Sequence, residues 1–83
     1  MIQAKFKYQI NHYLSIQPGN VSIDSIRQLL EARFEIPAST FTRDRFIPPE
    51  DSFEIPLSRL NVYAFVLGAS VDQLTKRYEL TII

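Results

Sequence analysis

One segment contains most of one predicted helix and the start of the next, and it reads Leu60-Asn61-Val62-Tyr63-Ala64-Phe65-Val66-Leu67-Gly68-Ala69-Ser70-Val71-Asp72-Gln73-Leu74. Its first half is apolar enough to predict a heavily buried helix, for which Pro56 supplies the first turn. Gly68 ends this helix because glycine adopts the left-handed conformation of a C-cap without strain. Ser70 then caps a last helix, whose first turn holds Asp72. The side chains expected to face the core are Leu57, Leu60, Val62, Tyr63 or Ala64, Phe65, Val66, Leu67, Val71, Leu74 and Tyr78.

A further amphipathic helix is predicted upstream. Ser22 is a good N-cap, and Asp24 suits the positive end of the helix dipole in the first turn. The helix ends before Pro37, because a proline disfavours helical backbone in the residue before it. Its expected buried stripe consists of Ile23, Ile26, Leu29, Leu30 and Phe34.

A short helix follows, and then a loop. The short helix starts at Pro37 or Ser39 and runs to about Arg45, with Phe41 as its core contact. The two prolines of the next segment remove backbone donors and clash with the preceding turn, so they exclude regular helix. That segment reads Ile47-Pro48-Pro49-Glu50-Asp51-Ser52. It is therefore predicted to be a loop.

The N-terminal segment fits two patterns. Apolar and polar residues alternate from Ile2 to Ile10 as in a strand, yet Ile2, Phe6, Ile10, Tyr13 and Leu14 also fit a helical stripe. Since no glycine or proline interrupts residues 1–17, a helix over residues 3–15 is favoured. The sequence thus predicts an all-α fold of five helices, with room for a short strand at the N- or C-terminus. The alternative is an α+β fold in which residues 2–10 and 78–83 are strands.

Length and composition indicate a single small domain that spans residues 1–83. An apolar fraction of 46% is ordinary for a globular fold. The chain has no cysteine, which excludes disulfides, thiolate nucleophiles and cysteine-ligated zinc. No apolar run approaches the ~20 residues of a membrane span, and the first residues lack the apolar core of a signal peptide. We therefore expect a cytoplasmic protein without membrane contact.

The residues that carry chemistry do not form an enzyme signature. His12 is the sole histidine, and no glycine-rich loop is present to hold a nucleotide phosphate. Glu50, Asp51 and Glu54 lack the alternating ligands and the central glycine of a calcium loop. We expect no catalysis, no metal and no cofactor. The formal net charge is zero, but these acids mask a mildly basic remainder.

Two segments resemble the lambda-repressor-like (Xre-type) helix-turn-helix domains. The first is the apolar helix that ends at Leu67-Gly68, together with the capped helix up to Leu74. The second reads Leu30-Glu31-Ala32-Arg33-Phe34-Glu35-Ile36-Pro37-Ala38-Ser39-Thr40-Phe41-Thr42-Arg43 and is similar to the helix-turn-helix itself. The resemblance covers about residues 20–76 and implies a compact five-helix domain. Glu35 stands where the family turn usually has glycine, and Asp44 stands where an apolar residue is expected.

The resemblance implies a function in binding duplex DNA. The helix around Ala38–Arg45 would be the recognition helix that lies in the major groove. The DNA-contacting residues implied there are Ser39, Thr40, Thr42, Arg43 and Arg45. Further phosphate contacts are expected from Ser22, Lys5, Lys7, Lys76 and Arg77. Arginine can bond a guanine edge with two donors, and hydroxyl groups can reach bases or phosphates.

The family function implied is that of a small, non-enzymatic transcriptional regulator or an antitoxin-like repressor. It would bind paired DNA half-sites as a homodimer, with the segment 78–83 as the dimer contact. A second interpretation assigns the helical scaffold to protein binding or assembly. The zero net charge, the acidic loop of residues 50–56 and the apolar tail of residues 78–83 favour this alternative, because exposed apolar surface marks contact with a partner. In that case Arg43, Asp44 and Arg45 form local ion pairs at a solvated helix end.

Overall fold

Helices make up most of the regular structure in the computed structural model, which describes residues 2–3, 5–76 and 79–80. In chain order the elements are β1 (Ile2–Gln3), α1 (Ile10–Ser15), α2 (Ile23–Phe34), α3 (Ala38–Arg45), α4 (Leu57–Leu67), α5 (Val71–Thr75) and β2 (Glu79–Leu80). The two short strands pair antiparallel, with Ile2 opposite Leu80 and Gln3 opposite Glu79. The predicted all-α domain with five helices is thereby confirmed, and the strands add a single short pair.

The segment before α1 is not helical, which corrects the helix expected over residues 3–15. Helix α1 begins only at Ile10. The Lys7 amide donates to the carbonyl oxygen of Ile47 at 2.7 Å, and the Gln9 amide donates to that of Leu74 at 2.8 Å. These N–H groups are bonded to distant segments, so they do not need a helical turn to satisfy them. Residues 5–9 are not in a strand either, so the strand expected over residues 2–10 is limited to Ile2–Gln3 in the described part of the chain.

The helix ends follow the signals in the sequence. Ser22 and Ser25 form a reciprocal capping box at the start of α2, and Ser70 and Gln73 form another at the start of α5. In each box two orphan amide groups find side-chain acceptors. Gly68 ends α4 with a φ of +72°, a conformation that only glycine adopts without strain. These predictions of helix boundaries are confirmed.

The core lies where α1 contacts α3 and α4, α2 packs on α3, and α4 packs on α5. Its buried apolar residues are Tyr8, Ile10, Leu14, Ile26, Leu30, Ile36, Phe41, Ile47, Ile55, Leu60, Tyr63, Ala64, Leu67 and Leu74. Phe41 and Tyr63 are the largest of the fully buried side chains, and their ring centroids lie 5.9 Å apart. This contact anchors α3 on α4. The expected inward position of Tyr78 lies outside the described residues.

Four apolar residues expected in the core are exposed instead: Ile23, Leu29, Leu57 and Phe65. Successive helix residues are rotated by about 100°, so only one side of each helix can face the core. In α4 that side is formed by residues such as Leu60 and Leu67, and Phe65 points the opposite way. In α2 it is centred on Ile26 and Leu30, which leaves the other two residues at its edges.

Candidate nucleic-acid interface on helix α3

Helices α2 and α3 are joined by a turn of three residues, Glu35 to Pro37. Glu35 has φ 57° and ψ 33°, and it is the non-glycine residue with positive φ among those the structure describes. The Ile36 amide donates to the carbonyl oxygen of Leu30 at 3.1 Å, which closes the end of α2. Glu35 therefore adopts the left-handed conformation that glycine adopts most easily. This is the position at which the resembled family usually has glycine.

One side of α3 is exposed along its whole length. Ser39, Thr42 and Arg43 are exposed, and Phe46, which follows the last helical residue, is 46% exposed. The spacing of these four residues is i, i+3, i+4 and i+7, so their side chains share one face. We call these residues the α3 stripe. Phe41 points the opposite way and is 1% exposed.

The remaining predicted contact residues of α3 lie off this stripe. Thr40 is half-buried at its side. Arg45 is also half-buried, and its Nε donates to Oδ1 of Asn11 at 2.7 Å. Asn11 in turn donates through Nδ2 to the carbonyl oxygen of Arg45 at 3.1 Å. Burial lowers the pKa of Arg45. Arg45 therefore joins α3 to α1, and it does not extend from the α3 stripe.

Aromatic rings surround the two arginines at the end of α3. The guanidinium carbon of Arg43 lies 4.5 Å from the ring centroid of Phe53, and that of Arg45 lies 4.9 Å from the centroid of Phe46. The edge of Phe6 meets Phe46 at a centroid distance of 5.4 Å. Such stacking holds a guanidinium in place while it leaves donors at the edge of the group. The side chain of Arg43 remains 56% exposed.

A buried carboxylate fixes the orientation of α3. Asp44 is fully buried, with 0% of its surface exposed. Its Oδ2 accepts hydrogen bonds from Nε of Arg59 and from the Tyr63 hydroxyl, both at 2.6 Å. Its Oδ1 accepts from Nη2 of Arg59 at 3.1 Å. Arg43 approaches Oδ1 at 3.5 Å. Both carboxylate oxygens are thus satisfied, which explains how an acid occupies a position where the resembled family has an apolar residue.

The protonation behaviour of the two partners reflects this network. Burial raises the pKa of the Tyr63 hydroxyl, and the hydrogen bond to Asp44 raises it further. Burial alone would lower the pKa of Arg59, but its hydrogen bonds to Asp44 and the charge of that group raise it above the usual value. Arg59 therefore stays cationic and Tyr63 stays neutral. The network is an ion pair with an added neutral donor.

Lys7 is buried, which corrects its expected role as a phosphate contact. The residue is 6% exposed, and its ammonium group donates to the carbonyl oxygens of Asp51 at 2.9 Å and Phe53 at 2.7 Å. The Asp51 carboxylate accepts from the Phe53 amide at 2.8 Å, and the hydroxyl of Tyr8 accepts from the Ile55 amide at 3.0 Å. Since these contacts hold the ammonium group inside the fold, Lys7 positions the acidic loop beside Arg43.

The other expected phosphate contacts occupy separate places. Lys5 is exposed, with its ammonium 5.6 Å from the ring centroid of Phe6 near the end of the α3 stripe. Lys76 is exposed just after α5. Ser22 is exposed, but its hydroxyl oxygen already accepts from the Ser25 amide as the cap of α2. Arg77 lies outside the described residues.

No protein-family model, curated protein or solved structure matches the chain. Among residues 2–3, 5–76 and 79–80, no three histidine or acidic side chains come together in an arrangement that would hold a metal ion. None of the helices in the described part of the chain has the length and apolar character needed to cross a membrane. What α3 offers is a surface of two hydroxyl groups, one guanidinium and one phenyl ring.

The sequence did not indicate the residues that hold this surface in place. Arg59 and Tyr63 bind Asp44 from 15 and 19 positions away, and Asn11 binds Arg45 from 34 positions away. Phe46 was also missed as a member of the stripe, because it follows the last helical residue. A signal for Phe46 was present in the spacing of i+3 from Arg43. For Arg59, Tyr63 and Asn11 no local signal existed.

Proposed function

We propose that this protein is a small non-enzymatic DNA-binding protein, with α3 as the recognition helix of a helix-turn-helix. The observation that carries the proposal is the α3 stripe itself: a polar, exposed face on a helix whose opposite face is fixed by Phe41 and Asp44. The left-handed turn at Glu35 supports it, because the resembled family usually has glycine at this position and glycine adopts that conformation most easily. A role as a transcriptional regulator or an antitoxin-like repressor follows from the same resemblance.

The chemistry of the stripe suits the major groove. Arg43 is the residue for a guanine, because a guanidinium can donate to O6 and N7 together. Ser39 and Thr42 lie on the N-terminal side of Arg43 and supply hydroxyl groups for base edges or phosphates. Phe46 supplies an apolar surface for a thymine methyl group.

The acidic loop restricts how DNA approaches. Lys7 holds the loop so that Phe53 lies under Arg43, and the loop carries Glu50, Asp51 and Glu54. Phosphates are repelled by this group of acids, and the repulsion acts within about 10 Å at moderate salt. The DNA backbone is therefore expected to run along the N-terminal half of α3 and away from the loop. The zero net charge further predicts few phosphate contacts.

The test is a binding titration against a pool of random-sequence duplex DNA at several salt concentrations. Each phosphate contact lowers log K by about 0.9 per unit of log salt. Arg43→Ala should weaken binding by about 1–3 kcal/mol and relax the base preference at one position. Arg27→Ala is the matched control, since it removes the same charge from α2, where Arg27 pairs with Asp24 at 3.3 Å. Absence of binding at low salt, or equal loss in both variants, refutes the proposal.

Protein binding is the second candidate function, and one observation favours it. Phe65 is 79% exposed and Leu57 is 64% exposed on α4, which is unusual for large apolar side chains. An assembly module of this kind would associate with another chain in the absence of DNA. A partner captured through α4, with no binding to duplex DNA at low salt, would favour this candidate over the first.

A further inference from the structure

Helix α4 has an uncovered apolar face. The helix contains a single charged residue, Arg59, and the guanidinium of that residue is bonded to Asp44. The side of α4 away from the core therefore carries no exposed charge of its own. It holds Leu57, Ser58, Asn61, Val62 and Phe65. Surface helices usually place charged residues on such a face, so its composition requires an explanation.

A pocket of about 290 Å³ opens on this face. Its lining residues are Phe34, Ile36, Ser58, Arg59 and Val62. Small-molecule sites have volumes of about 300–1,000 Å³, whereas a cavity of about 150 Å³ already holds a benzene ring. The pocket lies at the lower edge of that range and is open to solvent, so it has room for one aromatic side chain. Phe34 and Arg59, two of its lining residues, are of types that commonly contact aromatic rings.

Phe65 stands at the rim of this pocket. Its ring centroid lies 6.5 Å from that of Phe34 with an interplanar angle of 69°, and Val62 lies one turn before it on α4. The phenyl ring projects into solvent and is the most exposed of the large apolar side chains that the structure describes. A projecting aromatic ring and a cavity that fits an aromatic ring thus lie side by side.

We infer that this face binds a second copy of the chain about a two-fold axis, with Phe65 of each copy in the pocket of the other. A two-fold interface pairs one patch with itself, so the patch must contain both the projecting group and its receptor. This face meets that requirement. Because it presents no free charge, two copies meet without like-charge repulsion, whereas an acidic or basic partner would gain nothing from it.

The two Phe65 rings supply part of the area that a dimer needs. A phenylalanine buries about 150–250 Å² when it is enclosed, so the two Phe65 rings supply at least roughly 300 Å². Stable interfaces bury at least about 1,200 Å² in total, and the rings thus provide about a quarter of that. The remainder has to come from the exposed surface around the rings, which includes Leu57 at 64% exposure and the exposed Ser58 and Asn61 on both copies. The inference does not depend on DNA binding, since the dimer is measured without DNA.

Sedimentation equilibrium of four proteins tests this interface. Phe65→Ala removes the projecting ring, and Ser58→Trp fills the pocket from its rim. Both positions are exposed, so both variants should keep the circular dichroism spectrum of the native fold. Ile16→Ala is the control, because Ile16 is 59% exposed but belongs neither to the pocket nor to the α4 face. Loss of a central aromatic anchor is expected to raise the dissociation constant at least about 30-fold.

Mixing the two variants is the decisive step. Phe65→Ala keeps an intact pocket and Ser58→Trp keeps an intact ring, so an equal mixture can form one of the two ring-and-pocket contacts. Neither variant alone can form any. Tighter association in the mixture than in either variant alone is the expected result. A wild-type chain that is monomeric at about 1 mM, a Phe65→Ala dimer as tight as wild type, or a mixture no tighter than its components overturns the inference.

Discussion

Replacement of Asp44 by alanine should destabilise the domain more than any exposed substitution on α3. The change removes a carboxylate that is fully buried and leaves Arg59 and the Tyr63 hydroxyl without their acceptor. Loss of one member of a buried ion pair costs about 3–5 kcal/mol, because the other charge stays desolvated. The Arg59 side chain is 19% exposed, so water can partly solvate its charge in the variant. The expected loss therefore lies in the lower part of that range, at about 3–4 kcal/mol. The contact of Asp44 with Arg43 contributes very little to the stability of the fold, because the Arg43 side chain is 56% exposed.

That loss is large on the scale of the whole fold. At 0.05–0.15 kcal/mol per residue, a chain of 83 residues has a free energy of unfolding of about 4–12 kcal/mol. The melting temperature should fall by about 12–30 °C, since 1 kcal/mol shifts a domain of this size by about 4–8 °C. Urea denaturation followed by circular dichroism measures the change. Glu54→Ala, an exposed acid of the loop, is the control and should stay within about 0.5 kcal/mol of wild type. A cost below about 1 kcal/mol for Asp44→Ala would refute the account of the network.

Two further predictions concern the turn and the tyrosine. Glu35→Gly should raise the free energy of unfolding, measured by urea denaturation, by up to about 1 kcal/mol, because glycine adopts the left-handed backbone conformation of this position without strain. Gln28→Gly, inside α2, is the control and should lower the free energy of unfolding by about 1 kcal/mol. A Glu35→Gly variant less stable than wild type would contradict this explanation. Burial and the hydrogen bond to Asp44 raise the pKa of Tyr63 in the folded state. The pKa of a tyrosine in the unfolded chain is about 10, so the contribution of Tyr63 to stability is complete below about pH 10 and is lost as the pH rises above it. Between about pH 10 and 11 wild type should therefore lose stability more steeply than Tyr63→Phe, and parallel curves would contradict the assignment.

The sequence predicted those parts of the fold that local chemistry controls. The caps Ser22 and Ser70 and the left-handed Gly68 are as predicted, because each acts on backbone groups within three or four residues. The segment before α1 was predicted wrongly because its amides bond to Ile47 and Leu74, which are distant along the chain. The apolar pattern also placed Phe65 in the core, since a helix with apolar residues on all sides does not show which side is buried.

The same distinction holds for the candidate site. Ser39, Thr42 and Arg43 were implied by the resemblance to the helix-turn-helix family, and the structure brings these three onto one face. Lys7 was placed with them by its charge alone, and its burial depends on carbonyl groups more than forty residues away. Asp44 departed from the pattern of the resembled family, and only the positions of Arg59 and Tyr63 on α4 explain it. Long-range polar contacts of this kind have no periodic signal in the sequence.

The bonds of Lys7 and Tyr8 to the acidic loop have a consequence for the order of folding. They join residues separated by 44 to 47 positions, so each closes a long loop before it returns any stabilisation. Helices α2 and α3 are neighbours in the chain and pack on each other across a short turn, which closes at a much smaller entropic cost. We therefore expect α2 and α3 to pack on each other early and the N-terminal segment to dock late. The surface of α3 would then exist, for a time, without the acidic loop beside it.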